Sequence, residues 1–235
     1  MPHWKVEQLQ QLLSETVEQR MFDKVAGLAQ QLGMEYFSFA LRTYAATQRP
    51  QLKVYNTYPT AWNEHYQRYN YASIDPIFAL CHRSLMPVLW HDEIFRETPD
   101  FWEHAKNHGL RHGWSQSAHD ARHNESILSV VRSHTPVDTA EFYNAAGQTL
   151  WLCNQMHTLI LERALAKPPQ AFSLTARESE VLKWSAAGKT AAEVACILSL
   201  SQSTVNFHIR SFISKMNSSN KAGAIAIAAM NGLLE

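Results

Sequence analysis

The sequence predicts two joined domains: an α+β domain over residues 1–166, with an antiparallel sheet and helices packed around it, and an all-α domain of four helices over residues 172–235. Three observations carry this. Apolar residues alternate between helical and strand periods up to residue 166 and keep a helical period after 171. Between them lies Ala166-Lys167-Pro168-Pro169-Gln170, where Pro-Pro cannot continue a helix and favours an extended spacer, giving a linker at 167–171. Composition also changes there: all tyrosines and six of the seven tryptophans precede the linker.

The elements follow in chain order. Val6 to Gln31 carries Leu9, Leu12, Leu13, Val17, Phe22, Val25 and Leu28 at helical spacing, so one helix is expected to run to Gly33. Tyr36 to Tyr44 and Gln51 to Asn56 read as strands. Pro59 opens a short helix through Tyr69, and Asp75-Pro76 opens another towards Ser84. Pro87 to Trp90 is short and extended. Phe101 to His108 is helical and stops at Gly109. His112 to Ala118 and Ser126 to Ser133 read as a hairpin. Asp138 to Ala166 is a long closing helix. Strands mixed with helices in this way indicate a sheet with helices packed around it.

After the linker, Thr175-Ala-Arg-Glu178 and Thr190-Ala-Ala-Glu193 are capping boxes that open two helices, the first ending at Gly188 and the second at Leu198. Ser199-Leu200-Ser201 is a tight turn into a helix from Gln202 to Met216, and Asn220 caps a last one ending near Gly232. Short helix, tight turn, longer helix is the helix-turn-helix plan.

The 235 residues are 46% apolar and 18% charged, which excludes a disordered chain. Cys81, Cys153 and Cys196 lie far apart, so neither a disulfide framework nor a cysteine metal motif is expected. The start Met1-Pro2-His3-Trp4-Lys5 has no signal-peptide pattern, and no apolar run approaches a bilayer span, so a cytoplasmic protein without membrane insertion is expected. Net charge is zero, but from Ala171 to Glu235 six cations face four anions. So slight an excess requires a well-placed patch, and a dimer, for DNA binding.

On the Gln202–Met216 helix, Val205, Ile209, Phe212 and Met216 face the core by their spacing. Gln202, Asn206 and Arg210 share another face. Asn pairs bidentately with adenine and Arg with guanine, and Phe207 beside them is either half-buried core or a thymine-methyl contact. Lys189, Thr190, Ser203, Thr204 and Lys215 are types that hold phosphates. A plain solvated face gives the same pattern.

The run Leu174-Thr-Ala-Arg-Glu178-Ser-Glu-Val-Leu182-Lys-Trp-Ser-Ala-Ala-Gly188-Lys-Thr, with Glu193-Val-Ala-Cys-Ile-Leu-Ser-Leu-Ser and Thr204-Val-Asn-Phe-His208, closely resembles the LuxR-type DNA-binding domain. Tyr58-Pro59, Trp62, Tyr66, Asp75-Pro76, Trp90, Phe101-Trp102, Gly113 and Ser129 resemble the autoinducer-binding domain of the acyl-homoserine-lactone receptors of that family. The resemblance implies a sheet between helical layers, with the ligand between sheet and helices. It also implies a quorum-sensing regulator, not an enzyme, that needs no cofactor. Its partners would be an N-acyl homoserine lactone, a second copy of the chain and double-stranded DNA with a partly palindromic operator; RNA polymerase is a further candidate.

By the same resemblance, Trp62 donates to the lactone carbonyl, Asp75 accepts from the amide N–H, and Tyr58 donates to the amide carbonyl with Ser129 nearby. Trp90 and Phe101 wall the lactone ring, Tyr66 and Ser38 border the acyl chain, and Gly113 belongs to the same set. Segments Trp114–Ala118 and His123–Glu125, which depart from the family pattern, are expected near the tail end and rim. On their own, the aromatic residues fit ordinary core and Asp75 fits a helix cap. The alternatives are a regulator that works without ligand or by sequestering a partner, and a sensor of another small molecule or a metal. His104 and His108, at i and i+4, have metal-ligand spacing. No cysteine or carboxylate completes the set, so no metal site is expected.

Overall fold

The computed structural model describes residues 4–43, 50–164 and 172–234, which fall into two compact units. The expected linker at 167–171, Tyr44 at the end of the first strand, and the last residues of the long helix lie outside the described residues.

The first unit holds five strands: β1 (Tyr36–Thr43), β2 (Gln51–Asn56), β3 (Val88–Leu89), β4 (His112–His119) and β5 (Glu125–Arg132). All neighbours run antiparallel in the order β2-β1-β5-β4-β3. Register places Ser38 opposite Ser129, and Ser129 opposite Ser115, so three hydroxyls cross the middle of the sheet on one face. On the other face Trp114 donates its indole N–H to Thr149 on the long helix α6 (Thr139–Ala164) at 2.9 Å. Ser126 meets His157 of the same helix at 2.8 Å. The Ser38 face is covered by α3 (Thr60–Arg68), α4 (Pro76–Arg83) and α5 (Pro99–Asn107). The sheet therefore lies between helical layers.

The single helix expected from Val6 to Gln31 is two, α1 (Val6–Leu13) and α2 (Glu18–Gln31). The reason is local. Glu15 turns its carboxylate back onto the N–H groups of Thr16 and Val17, both at 3.1 Å, taking them out of any helical ladder. Lys24 pairs with that carboxylate at 3.0 Å, and Arg163 donates to the Glu15 carbonyl. Two 3-10 turns, Tyr71–Ser73 and Asp92–Phe95, also carry no periodicity long enough to be read in advance.

The second unit contains α7 (Ala176–Ala186), α8 (Ala191–Leu198), α9 (Gln202–Lys215) and α10 (Lys221–Met230). Both capping boxes form with reciprocal bonds, Thr175 with Glu178 and Thr190 with Glu193. Val181, Leu182, Val194, Val205, Phe212 and Ala228 are fully buried together and make its core. No helix among the described residues is long and apolar enough to cross a membrane.

Candidate functional site

Between the Ser38 face of the sheet and helices α3–α5 lies a cavity of about 770 Å³. That is within the range of small-molecule sites, roughly 300–1,000 Å³. Ser38, Tyr58, Trp62, Tyr66, Asp75, Trp90, Phe101 and Ser129 all line it. Gly113 does not. A Cβ at 113 would lie 2.2 Å from the Val130 carbonyl oxygen, so this glycine permits β4 and β5 to pair closely beneath the site. Segments 114–118 and 123–125 also lie off the cavity wall. Gln116 and Ser117 instead donate to the Leu85 and Ser84 carbonyls at 2.8 and 2.6 Å, and Glu125 is buried against Arg42 and His82, each at 3.3 Å.

The polar groups of the cavity gather around Asp75. Its Oδ1 caps α4, accepting from the Ile77 N–H at 2.9 Å, and its Oδ2 accepts from the Tyr66 hydroxyl at 3.0 Å. The cap and the site use the same side chain, since each carboxylate oxygen accepts two bonds. Loss of water pushes its pKa up to about 6, against the lowering effect of the Ile77 and Tyr66 bonds. The Tyr58 hydroxyl lies within hydrogen-bonding range of Ser129 and Ser38. Desolvation first, then the Asp75 charge, raises the pKa of Tyr58, so it stays a protonated donor. Ser38 therefore reaches the polar cluster through Tyr58. Tyr66 is likewise held by Asp75.

Indole groups separate into occupied and available donors. Trp90 donates to Ser115 at 2.9 Å and Trp102 to Asp92 at 2.6 Å. Trp62, 3% exposed and on the cavity wall, has no acceptor for its N–H among the described residues. A buried indole normally finds a partner. Apolar side chains of Phe22, Leu52, Val54, Ile77, Phe95 and Ile127 supply much of the remaining wall. Ser115, which the sequence singles out only as part of the departing segment Trp114–Ala118, holds Trp90 and meets Ser129 at 2.8 Å. Its only advance signal is strand alternation, which needs the β4–β5 register to become useful.

In the second unit, α9 exposes Gln202, Ser203, Phe207 and Arg210, and Asn206 is half-buried beside them. Phe207 is 65% exposed, which removes the core alternative for that ring. Ser201 caps the helix and joins Ser203 and Thr204 in a hydroxyl cluster at 2.7 and 2.8 Å. Thr190 is engaged in its capping box, and Lys189 stands 3.5 Å from Glu193, an exposed and easily exchanged pair. Lys215 has a different task. Its ammonium donates to buried Glu178 at 2.7 Å and to the Ser173 carbonyl at 2.9 Å. The Glu178 carboxylate also accepts from Ser211 at 2.7 Å. Burial alone would raise the Glu178 pKa. Lys215, Ser211 and the Thr175 N–H outweigh it and hold the carboxyl at about 2.

Comparison with known proteins accounts for both units. Residues 18–159 match the autoinducer binding domain family, and residues 172–228 match the luxR family of bacterial regulatory proteins. The transcriptional activator AnoR of Acinetobacter nosocomialis is 33% identical over 238 residues, covering all of both chains. The crystal structure of Escherichia coli SdiA covers 97% of this chain and of its own, with 31% identity and a TM-score of 0.73. SdiA bound to octanoyl-rac-glycerol gives the same TM-score over 97% of this chain and 94% of that one. The N-acylhomoserine-lactone-dependent regulator CepR2 of Burkholderia cenocepacia covers 68% of this chain and 94% of its own, at 28% identity and a TM-score of 0.61.

Proposed function

This chain belongs to the LuxR family of transcription regulators with an autoinducer-binding domain, and on that premise we propose that it is a cytoplasmic quorum-sensing regulator. Its ligand is an N-acyl homoserine lactone, and it binds a partly palindromic operator as a homodimer. The observation that carries the ligand is the match between cavity donors and acceptors and one head group. The free Trp62 N–H serves the lactone carbonyl, Asp75 the amide N–H, and Tyr58 with Ser129 the amide carbonyl. Each polar group buried without a partner costs about 1–3 kcal/mol, so a pocket of this polarity discriminates strongly. The apolar wall takes the acyl chain.

Gln202, Asn206, Phe207 and Arg210 read bases, and Lys189, Thr190, Ser203 and Thr204 hold phosphates. Lys215 is left out of that set because its ammonium is committed to Glu178. A second ligand reading, a monoacylglycerol, has support from the SdiA complex, since octanoyl glycerol also joins a polar head to an apolar tail. The test is the thermal midpoint of the full chain with a panel of acyl homoserine lactones and octanoyl glycerol, followed by operator binding with the best ligand. An upward shift with one lactone supports the leading reading. A shift with the glycerol alone favours the second, and no shift from a folded dimer favours ligand-independent action.

A further inference from the structure

Outside the cavity, metal-ligating side chains gather where α3, the Tyr71 turn and α5 meet. His65 Nε2 lies 3.1 Å from His104 Nδ1. The Tyr71 hydroxyl lies 2.6 Å from His104 Nδ1 and 3.5 Å from His65 Nε2. A Tyr71 hydroxyl that donates to His104 Nδ1 leaves the 3.1 Å contact between His65 and that nitrogen without a hydrogen bond. His104 Nδ1 offers one in-plane proton or one lone pair, yet two polar atoms converge on it. A cation takes the lone pairs of both nitrogens at once, and the Tyr71 oxygen joins them either as the neutral phenol or after its proton passes to water.

We propose that His65, His104 and Tyr71 form a binding site for a late first-row divalent ion of the Zn²⁺, Ni²⁺ or Cu²⁺ type. The donor set decides the class, because two imidazoles and one oxygen suit these ions and not Mg²⁺ or Ca²⁺. An ion about 2.0–2.1 Å from both nitrogens, the usual zinc–imidazole distance, sees a pair 3.1 Å apart at about 100°. That angle lies between the octahedral and tetrahedral values. The two imidazoles come from different helices, so binding fastens α3 to α5 above the cavity. Trp62 transmits the effect: its ring lies parallel to His65 and tilted against Tyr71 and Phe101, with centroids 6.3, 6.0 and 5.7 Å away.

The site is not the His104–His108 pair that sequence spacing offers. His108 turns its Nδ1 to the His104 carbonyl at 2.7 Å, closing a bond within its own helix end. No three His, Cys, Asp or Glu side chains among the described residues form a metal set, and the third donor here is a phenol.

The test is calorimetric titration of the tag-free full chain with Zn²⁺, together with Cu²⁺ electron paramagnetic resonance. The expected result is one equivalent bound at micromolar concentration, with two imidazole nitrogens on copper. His65→Gln and His104→Gln should each weaken binding at least tenfold, and Tyr71→Phe several-fold, while His82→Gln leaves it unchanged. Wild-type binding no tighter than millimolar overturns the proposal. So does a copper spectrum with fewer than two imidazoles, or one that His82→Gln abolishes. The spectrum is read on the unaltered chain, so a variant that fails to fold does not spare the proposal. Lactone affinity plays no part in these readouts.

Discussion

At Asp75, one carboxylate caps α4, anchors Tyr66 and faces the cavity, with a pKa of about 6 because water is excluded from it. Its folded pKa lies above the ordinary 3.8, so the native state binds this proton more tightly than the unfolded one. The contribution of Asp75 to stability without ligand is therefore greatest below 3.8 and declines as pH rises from there through about 6. Ligand affinity runs the other way. An amide N–H needs the ionised acceptor, so lactone affinity should hold above pH 7 and fall as pH drops through about 6. The fall should approach tenfold per unit, and Asp75→Asn should flatten it. Calorimetric titration across pH 5–8 decides; a flat wild-type profile removes Asp75 from the head-group contact. Trp62→Phe keeps most of the ring and deletes the free N–H. Losing one neutral hydrogen bond, about 1–1.5 kcal/mol, should weaken lactone binding roughly tenfold. Unchanged affinity would remove the lactone-carbonyl contact from Trp62.

On α9, residues that look alike in sequence divide by what their neighbours demand. Asn206→Ala and Arg210→Ala should each cost about 1–3 kcal/mol of specific operator binding, and Lys189→Ala should mainly reduce the salt slope by about one. Fluorescence anisotropy at several salt concentrations separates the two effects. Lys215→Ala belongs with stability. It leaves Glu178 buried without its cation, so the C-terminal unit should lose about 1–3 kcal/mol, between the values for an exposed and a fully buried pair because Lys215 is partly exposed. The Glu178 pKa is depressed, so its contribution is full above about 4.5 and disappears as pH falls towards 2. An unchanged melting transition with a reduced salt slope would return Lys215 to the phosphate contacts. Legibility follows the range of the interactions. Capping boxes at Thr175 and Thr190 span three residues and are explicit in sequence. Strands around Ser38 and Ser129 show by alternation. The Lys215–Glu178 bond, the Ser115–Trp90 bond and the Arg163 contact to Glu15 join residues 37, 25 and 148 positions apart, and no local pattern encodes them. Gly113 was legible as special. Its reason, the Val130 carbonyl across the hairpin, was not.

At the scale of the whole molecule, the cavity is the term that links ligand to fold. A ligand seated in the cavity of about 770 Å³ gains dispersion contacts along its apolar wall, and the unfolded chain offers no such wall. Binding to the native state alone adds RT ln(1 + [L]/Kd), about 2.7 kcal/mol at a hundredfold excess over Kd. For a unit of this size that corresponds to a rise of roughly 5–10 °C in melting temperature. Differential scanning calorimetry should place the rise in the transition carrying the cavity. Asp75→Asn and Trp62→Phe should diminish it, and Asn206→Ala should leave it intact. If the ligand also favours the dimer, the shifted transition depends on protein concentration, and sedimentation shows more dimer at the same loading. A ligand-induced rise that is independent of concentration, with the molecular mass unchanged, would keep the receptor reading and remove dimerisation from its mechanism. DNA half-site recognition would then be explained by two monomers meeting on the operator, and the operator titration would become steeply cooperative.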